Sequence, residues 1–438
     1  KGASAASLFG SRAANGVIQI FTKTGASNAV GQTIVRVRNE VGGSRAYNSR
    51  APKKTSHHHF LTNADGTIQV NDTGVTFLGI ADPRGIADKP FAEPTFDHLD
   101  QVFSGGEFMT NYVAISHNSG KSNILASVEH QRNTGAVTFN EGERRFNFRV
   151  NMDHQISDRL KVSARTLFVR RSLDNRGLGG FGGTRGILRT LFMMDPTADL
   201  NQPNANGQPY QWNINKYNDT DGTNPLYTLS RVRQDAYRTR FLGNFGVNYE
   251  LADGLSLEYA FGIDSDQSDD YGFLDKGHLD VSAGNTPLLG SLNRDWDASN
   301  AITSSTTMVY VKKFGDFLLR SRIFYMYEDK QDKGFFASAS DLAIGGINQL
   351  QNARVHNPSS SYNEQVTANN FALAAGGDYL DKYIFDVIVR REAVSLFGAE
   401  ERWQTFGRVS AAYRLSEDVT IPGFQELALR ASYGTSGG

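Results

Sequence analysis

Polar and apolar residues alternate one for one over long stretches of this chain. Phe146, Phe148, Val150, Met152 and Ile156 interleave with Asn147, Arg149, Asn151, Asp153 and Gln155. Phe241, Phe245, Val247, Tyr249 and Leu251 interleave with Asn244, Asn248 and Glu250, and Leu255, Leu257, Tyr259, Phe261 and Ile263 with Ser256, Glu258 and Asp264. A period of two puts alternate side chains on opposite faces of a β-strand. Each stretch runs about ten residues or more, the length of a tilted strand that crosses a bilayer. The pattern predicts thirteen strands, near 32–41, 108–117, 123–132, 145–156, 159–171, 237–250, 255–266, 302–314, 316–329, 366–380, 382–391, 404–415 and 427–433. The expected apolar, lipid-facing set includes Phe146, Phe148, Val150, Leu257, Tyr259 and Phe261. Asn147, Arg149, Asn151 and Glu258 are expected on the opposite face.

The links between these strands alternate in length. Asn118–Ser122, Ser157-Asp158, Ala252–Gly254, Gly315-Asp316 and Asp381 are short turns, while 42–107, 172–236, 267–301 and 330–365 read as long polar connections. Outer-membrane barrels pair short periplasmic turns with long extracellular loops in this way. A solenoid would show a fixed repeat, and none is present. Tyr249, Phe314, Phe317, Tyr379, Tyr383 and Tyr413 gather beside the short turns, as an interfacial aromatic girdle would. The mean hydropathy of −0.42 suits a barrel with a polar lumen. No run reaches the roughly 18 apolar residues of a membrane helix. The chain of 438 residues has a net charge of −1, which gives no reason to expect a nucleic-acid partner. It has no cysteine, so disulfides and thiolate metal sites are excluded.

The first 25 residues, KGASAASLFGSRAANGVIQIFTKTG, break the pattern. They read as a short helix, a glycine stop at Gly10, a turn at Asn15-Gly16 and a strand, VIQIFT. This segment resembles the end of the plug domain of SusC/RagA-type TonB-dependent outer-membrane transporters. The matching positions are Lys1-Gly2, Phe9-Gly10-Ser11-Arg12, Ala14–Ile18, Thr22-Lys23 and Gly25. Thr110–Ser116 with Asn123–Ser127, Arg145–Asn151, Asp378–Arg391, Phe406–Glu417 and Leu427–Gly434 resemble barrel strands of the same family. Arg391-Glu392-Ala393-Val394 departs from the family's usual Arg-Asp-Gly-Ser.

The resemblance implies a plug end at 1–25 and the N-terminal part of a transmembrane antiparallel β-barrel at 26–438. Plugged transporters have about 22 strands, so roughly nine more are expected beyond Gly438, and the sheet is expected to be unclosed. The resemblance also implies active import of an oligosaccharide or peptide across a Gram-negative outer membrane. Its partners would be TonB with its inner-membrane energising complex and a SusD-like surface lipoprotein, and no cofactor is implied. Arg12 is expected to make a plug–barrel ion pair, with inward-facing Glu129, Glu250 and Glu258 as partners, or else to serve as a surface or capping charge. A passive porin or adhesin barrel shares the alternation but needs no plug segment. A barrel enzyme would need a catalytic set, and no Gly-x-Ser-x-Gly or His-Glu-x-x-His is present.

Other groups read more plainly. His57-His58-His59 lack a fourth ligand at zinc spacing and read as a solvated loop. Gly177–Gly183 lack the lysine of a phosphate cradle. Ile187–Met194 has the pattern of a short amphipathic helix. Met194–Thr197 and Asn224–Tyr227 resemble a Pro-containing extracellular segment of the family. Asp264, Asp266, Asp269, Asp270 and Asp275 offer oxygen ligands for Ca²⁺ but without EF-hand spacing, and read chiefly as a solubilising loop mouth. Tyr210, Trp212, Tyr217 and Trp296, with Phe335 and Phe336, fall in the predicted long connections. Rings among amides suit stacking against sugars, which favours a glycan solute, although a peptide would tolerate the same groups and the rings also suit packing within their own loops.

Overall fold

In the computed structural model of the chain, residues 23–46, 55–69, 80–174, 176, 187–214, 223–280, 286–419 and 426–435 are described. Thirteen strands pair in sequence order, each antiparallel to the next. They are β1 (Thr33–Ser44), β2 (Gly106–Asn118), β3 (Ser122–Asn133), β4 (Glu143–Ser157) and β5 (Leu160–Asp174). Then follow β6 (Val232–Ala252), β7 (Leu255–Leu274), β8 (Ser291–Phe314) and β9 (Phe317–Leu342). The last are β10 (Ser360–Tyr379), β11 (Tyr383–Val394), β12 (Trp403–Arg414) and β13 (Ala428–Gly434). A short strand, Ala353–His356, adds to β9, and β1 does not meet β13, so the barrel is open. Each expected strand is found in its expected place. No described helix is long and apolar enough to cross a membrane, which leaves crossing by strands untouched.

The register fixes the faces, because directly paired residues share one. From β3 to β8, Val128, Phe148, Phe168, Phe241 and Ser265 pair in series, as do Val247, Tyr259 and Thr306. On this outer face Val35, Val113, Phe148, Phe245, Val247, Ile323, Leu373 and Val387 are exposed. Exposed aliphatics over so wide a surface suit lipid. The other face carries Glu129, Asn147 and Val169, then Asn248 paired with Glu258. Six expected outer residues and four expected inner ones therefore fall as the alternation predicts.

Two of the expected long connections are mostly strand. The hairpin β8–β9 runs from Ser291 to Leu342, and β7 extends to Leu274. Beyond Ile302 the outer face turns polar, with Asn300 on β8 and Gln331 on β9. Above a bilayer both faces meet water, so the apolar half of the alternation disappears while the backbone ladder continues. Polarity alone therefore conceals these extensions.

At the short-turn end, Tyr383 and Tyr413 stack at 5.2 Å with the Lys382 ammonium over both rings, and Phe317 stacks on Phe385. At the opposite end the long links build a small apolar core. Leu99 and Val102 of α1 (His98–Val102), Leu191 of α2 (Ile187–Met193) and Leu226 and Leu229 of α3 (Pro225–Arg231) meet Met194, Leu200 and Ile214. The helix expected at 187–194 is α2. Asn224 is wholly buried and caps α3, its Oδ1 accepting from the Leu226 N–H while its Nδ2 donates to the carbonyls of Leu200 and Gln211. Arg84 and Lys89 both bind Asp82, fixing the loop below them and holding its carboxyl below the usual range.

Candidate functional site

The inner face is where the chain's first described residues rest. Asn151 Nδ2 donates to the Lys23 carbonyl at 2.7 Å, Asn118 Nδ2 donates to the Asn28 carbonyl at 2.7 Å, and Asn28 Nδ2 donates to Ser116 Oγ at 2.9 Å. Gly25 lies so close to the sheet that a Cβ there would meet the His117 and Ile124 carbonyl oxygens at 2.4 and 2.7 Å. A larger residue cannot keep this approach. The contacts are amide to carbonyl or hydroxyl, which water can replace.

Farther round the same face lies a buried charged patch. Arg390 Nε and Glu392 Oε2 are 3.2 Å apart, with side chains 3% and 6% exposed. Arg390 Nη2 donates to Asn370 Oδ1 at 2.7 Å, and Asn370 Nδ2 reaches Glu328 Oε2 at 3.3 Å. Register pairs Met326 with Asn370 and Asn370 with Glu392, so the cluster spans β9, β10 and β11 on the inner face. Ile388 and Phe406 beside it are also buried. Sequence reasoning missed this patch. Arg390 and Glu392 share a face at i, i+2 on a strand, which was the available signal, but nothing in the spacing revealed their burial.

Above the apolar band, the inner face of β5–β10 holds a pocket of about 460 Å³ lined by Arg171, Arg238, Asp266, Asp270, Asp297 and Tyr362. Arg238 Nε donates to Asp266 at 2.8 Å, and Tyr362 donates its hydroxyl proton to Asp297 at 2.6 Å. Asp270 is paired in register with Asp295. The acidic cluster is dispersed by its arginines, since Arg240 takes Asp264 and Arg294 takes Asp269, on opposite faces of the sheet. Asp275 accepts from the Gly346 N–H. No group of three metal-binding side chains occurs among the described residues. The Ca²⁺ option for this cluster is thus not supported by its geometry. His58 of the histidine run is buried against Phe60 and Phe91, a departure from the solvated loop expected.

No family model matches the chain. Two TonB-dependent receptors of Formosa agariphila align with all of it at 24% and 25% identity. SusC of Bacteroides thetaiotaomicron, also a TonB-dependent receptor, aligns with all of it at 23%. Over its whole length the chain is similar to TonB-dependent receptors, SusC among them. It spans 41–42% of the length of these relatives. Among solved structures, the RagAB peptide transporter superposes on the whole chain with a TM-score of 0.73 at 17% identity, and the chain covers 50% of it. The open sheet of thirteen strands therefore has the fold of half of such a transporter.

Within this sheet and its loops the residues singled out from sequence fall as follows. Arg12 and Tyr217 lie outside the described residues. Glu129 does face inward, but Arg38 at 3.3 Å and Asn147 at 2.8 Å already engage it from the wall itself. Glu250 and Glu258 face inward at the short-turn end, paired in register with Ser256 and Asn248. Tyr210 packs on the loop core, edge-on to Phe139 at 5.6 Å. The Trp212 carbonyl accepts from the Asn224 N–H in the same loops. Trp296 is a strand residue, stacked on Phe335 at 5.8 Å on the outer face. That is a correction to its expected place in a solute-facing loop. Its register partner Asp269 is the carboxylate that Arg294 binds. Phe336 lies inward, opposite Asp295.

Proposed function

We propose that the full-length receptor imports an oligomeric nutrient across a Gram-negative outer membrane, energised by TonB and its inner-membrane complex and covered by a SusD-like lipoprotein. One observation carries this reading: a sheet with an apolar outer face and a polar inner face on which the N-terminal segment rests. A passive porin has no use for that segment. The outer membrane holds no nucleotide fuel, so uptake against a gradient needs force applied to a plug whose contacts are polar and remakeable.

The same proposal assigns residues 1–25 to the end of the plug and 26–438 to the barrel wall. It moves the main latch from Glu129 to the buried patch. Charged groups are buried on one face of a sheet only where polar groups pack over them. We therefore assign Arg390, Glu392, Glu328 and Asn370 to seating the plug. Arg12 remains the candidate cation from the plug side, with Glu250 and Glu258 as secondary partners.

For the solute, the pocket favours a hydroxyl-rich oligosaccharide. Asp266 and Asp270 of β7, Asp297 of β8 and Tyr362 of β10 can accept from and donate to sugar hydroxyls along the wall. A peptide is the second reading, supported by the fold likeness to the RagAB peptide transporter. Growth of a strain lacking the receptor, on single glycans or single peptides as sole carbon source, separates the two. Growth lost on glycans, and lost equally when TonB is deleted, is the expected result. Uptake that persists without TonB would sink the import mechanism, and loss on peptides alone would sink the glycan preference.

A further inference from the structure

The top of the outer apolar band is not uniform. On β3, β4 and β5 the outward positions read Ile124, Ala126, Val128, then His130 and Arg132; Met152, Val150, Phe148, Phe146, then Arg144; and Val162, Ala164, Thr166, Phe168, then Arg170. Register puts Arg132 directly opposite Arg144, and Arg170 opposite Phe146, one diagonal step from Arg144. Paired positions lie about 5 Å apart at Cβ and diagonal ones about 7 Å, within reach of three guanidinium groups converging on one point. All three arginines are exposed. Like charges facing each other across strands destabilise the pair unless an anion lies between them. Arg144 has a surface ion pair with Glu141 at 3.0 Å, whose partners are 52% and 64% exposed and readily exchanged. Arg391, outward at a similar level on β11, is differently engaged and lies over the Trp403 ring at 5.1 Å.

The height is also telling. Arg132 and Arg170 stand ten residues above the short-turn ends of their strands, at Ser122 and Leu160. At about 3.3 Å per residue and a tilt near 40°, that is roughly 25 Å, the height of the apolar band of such barrels. Guanidinium groups there sit at the outer-leaflet headgroups, with their stems on the apolar surface below.

We propose that Arg132, Arg144 and Arg170 form a seat on the outer wall for the phosphate of an outer-leaflet glycolipid. Guanidinium forks match phosphate oxygens in charge and geometry, and the aliphatic and aromatic rows below receive the acyl chains. The proposal rests on the barrel reading, because it requires this face to be the lipid-facing one.

The test uses the full-length receptor in detergent, titrated with a phosphorylated lipid A and its dephosphorylated form and followed by native mass spectrometry. The phosphorylated form should bind on the order of a hundredfold more tightly to the wild type than to the triple variant Arg132→Gln, Arg144→Gln, Arg170→Gln, about fivefold per charge. The triple lysine variant, which keeps the charge but loses the forks, should fall between the two, and Arg145→Gln, on the inner face, should leave lipid A binding unchanged. Millimolar inorganic phosphate should compete only weakly, because it lacks the acyl chains. Equal binding by the wild type and the triple glutamine variant, with heat-modifiable gel migration showing both barrels folded, would overturn the seat and leave the barrel reading intact. Failure of the wild type to enter lipid bilayers at all would overturn both. If the triple glutamine variant does not fold, the single variants Arg132→Gln and Arg170→Gln decide, since each must weaken binding about fivefold and unchanged binding in both would overturn the seat.

Discussion

Arg390 and Glu392, two residues apart on one strand, point to the same side of the sheet and hold each other at 3.2 Å in almost complete burial. A pair this dry is weak evidence of stability, because the loss of hydration offsets the attraction, but removing one member leaves the other charge stranded. Glu392→Gln in the full-length receptor is expected to destabilise the seated state by about 3 kcal/mol and to loosen the plug. Arg390→Met with Glu392→Leu together should be milder than either change alone. The measurement is antibiotic leakage through the barrel with the variant expressed. Unchanged leakage for Glu392→Gln would remove this pair from the latch.

Gly25 tests the seat at the other side of the wall. Its approach to the His117 and Ile124 carbonyls leaves no room for a methyl group. Gly25→Val should displace the 23–28 segment and raise protease cleavage near Lys23 severalfold, while the barrel keeps its heat-modifiable migration. Cleavage at the wild-type rate would show that the close approach is dispensable.

His278 predicts a pH response in the loops at the long-link end of the sheet. It is 1% exposed and stacked on Tyr227 at 5.1 Å, and burial pushes its pKa down to about 4. The unfolded chain would take up its proton near pH 6.5. Between these values the unfolded loop binds more protons than the folded one, so stability falls as pH drops from about 6.5 to about 4 and is flat below. The full effect is about 3 kcal/mol. Proteolysis of the loops should accelerate over that window in the wild type and not in His278→Gln. A flat wild-type profile would argue against neutral burial of this ring.

The two faces of the wall make a fourth prediction. Phe148→Arg, outward and mid-band, should cost about 2–4 kcal/mol in barrel folding into lipid. Ser127→Arg, inward on the adjacent strand, should cost little. Equal losses would show that the faces have been exchanged.

Much of this architecture was readable from the chain. Alternation in Phe146–Ile156 and Leu255–Ile263 located strands and assigned faces, because lipid on one side and water on the other impose opposite chemistry on neighbouring residues. The reading failed where that contrast ends. Residues 291–301 and 331–342 keep their hydrogen-bonded ladder in water, so Trp296 and Phe335 look like loop aromatics when they are a stacked strand pair. The site was less accessible. Glu129 was found as an inward carboxylate, yet its claim by Arg38 and Asn147 depends on β1 and β4 lying on either side of the β2–β3 hairpin. The Arg390–Glu392 patch needed three strands in register before its burial was visible.

The long β8–β9 hairpin also sets a length for any lipid-anchored cover. Its upper part, Ser291–Ala301, rises above the apolar band by eleven residues of β8. That is roughly 28 Å of height at the usual rise and tilt. A cover fixed to the outer leaflet by its N-terminus and seated on this rim must bridge the drop with extended chain, roughly nine residues at about 3.3 Å each. Shortening such a tether below that length should leave the cover stranded at the membrane while its docking surface stays intact.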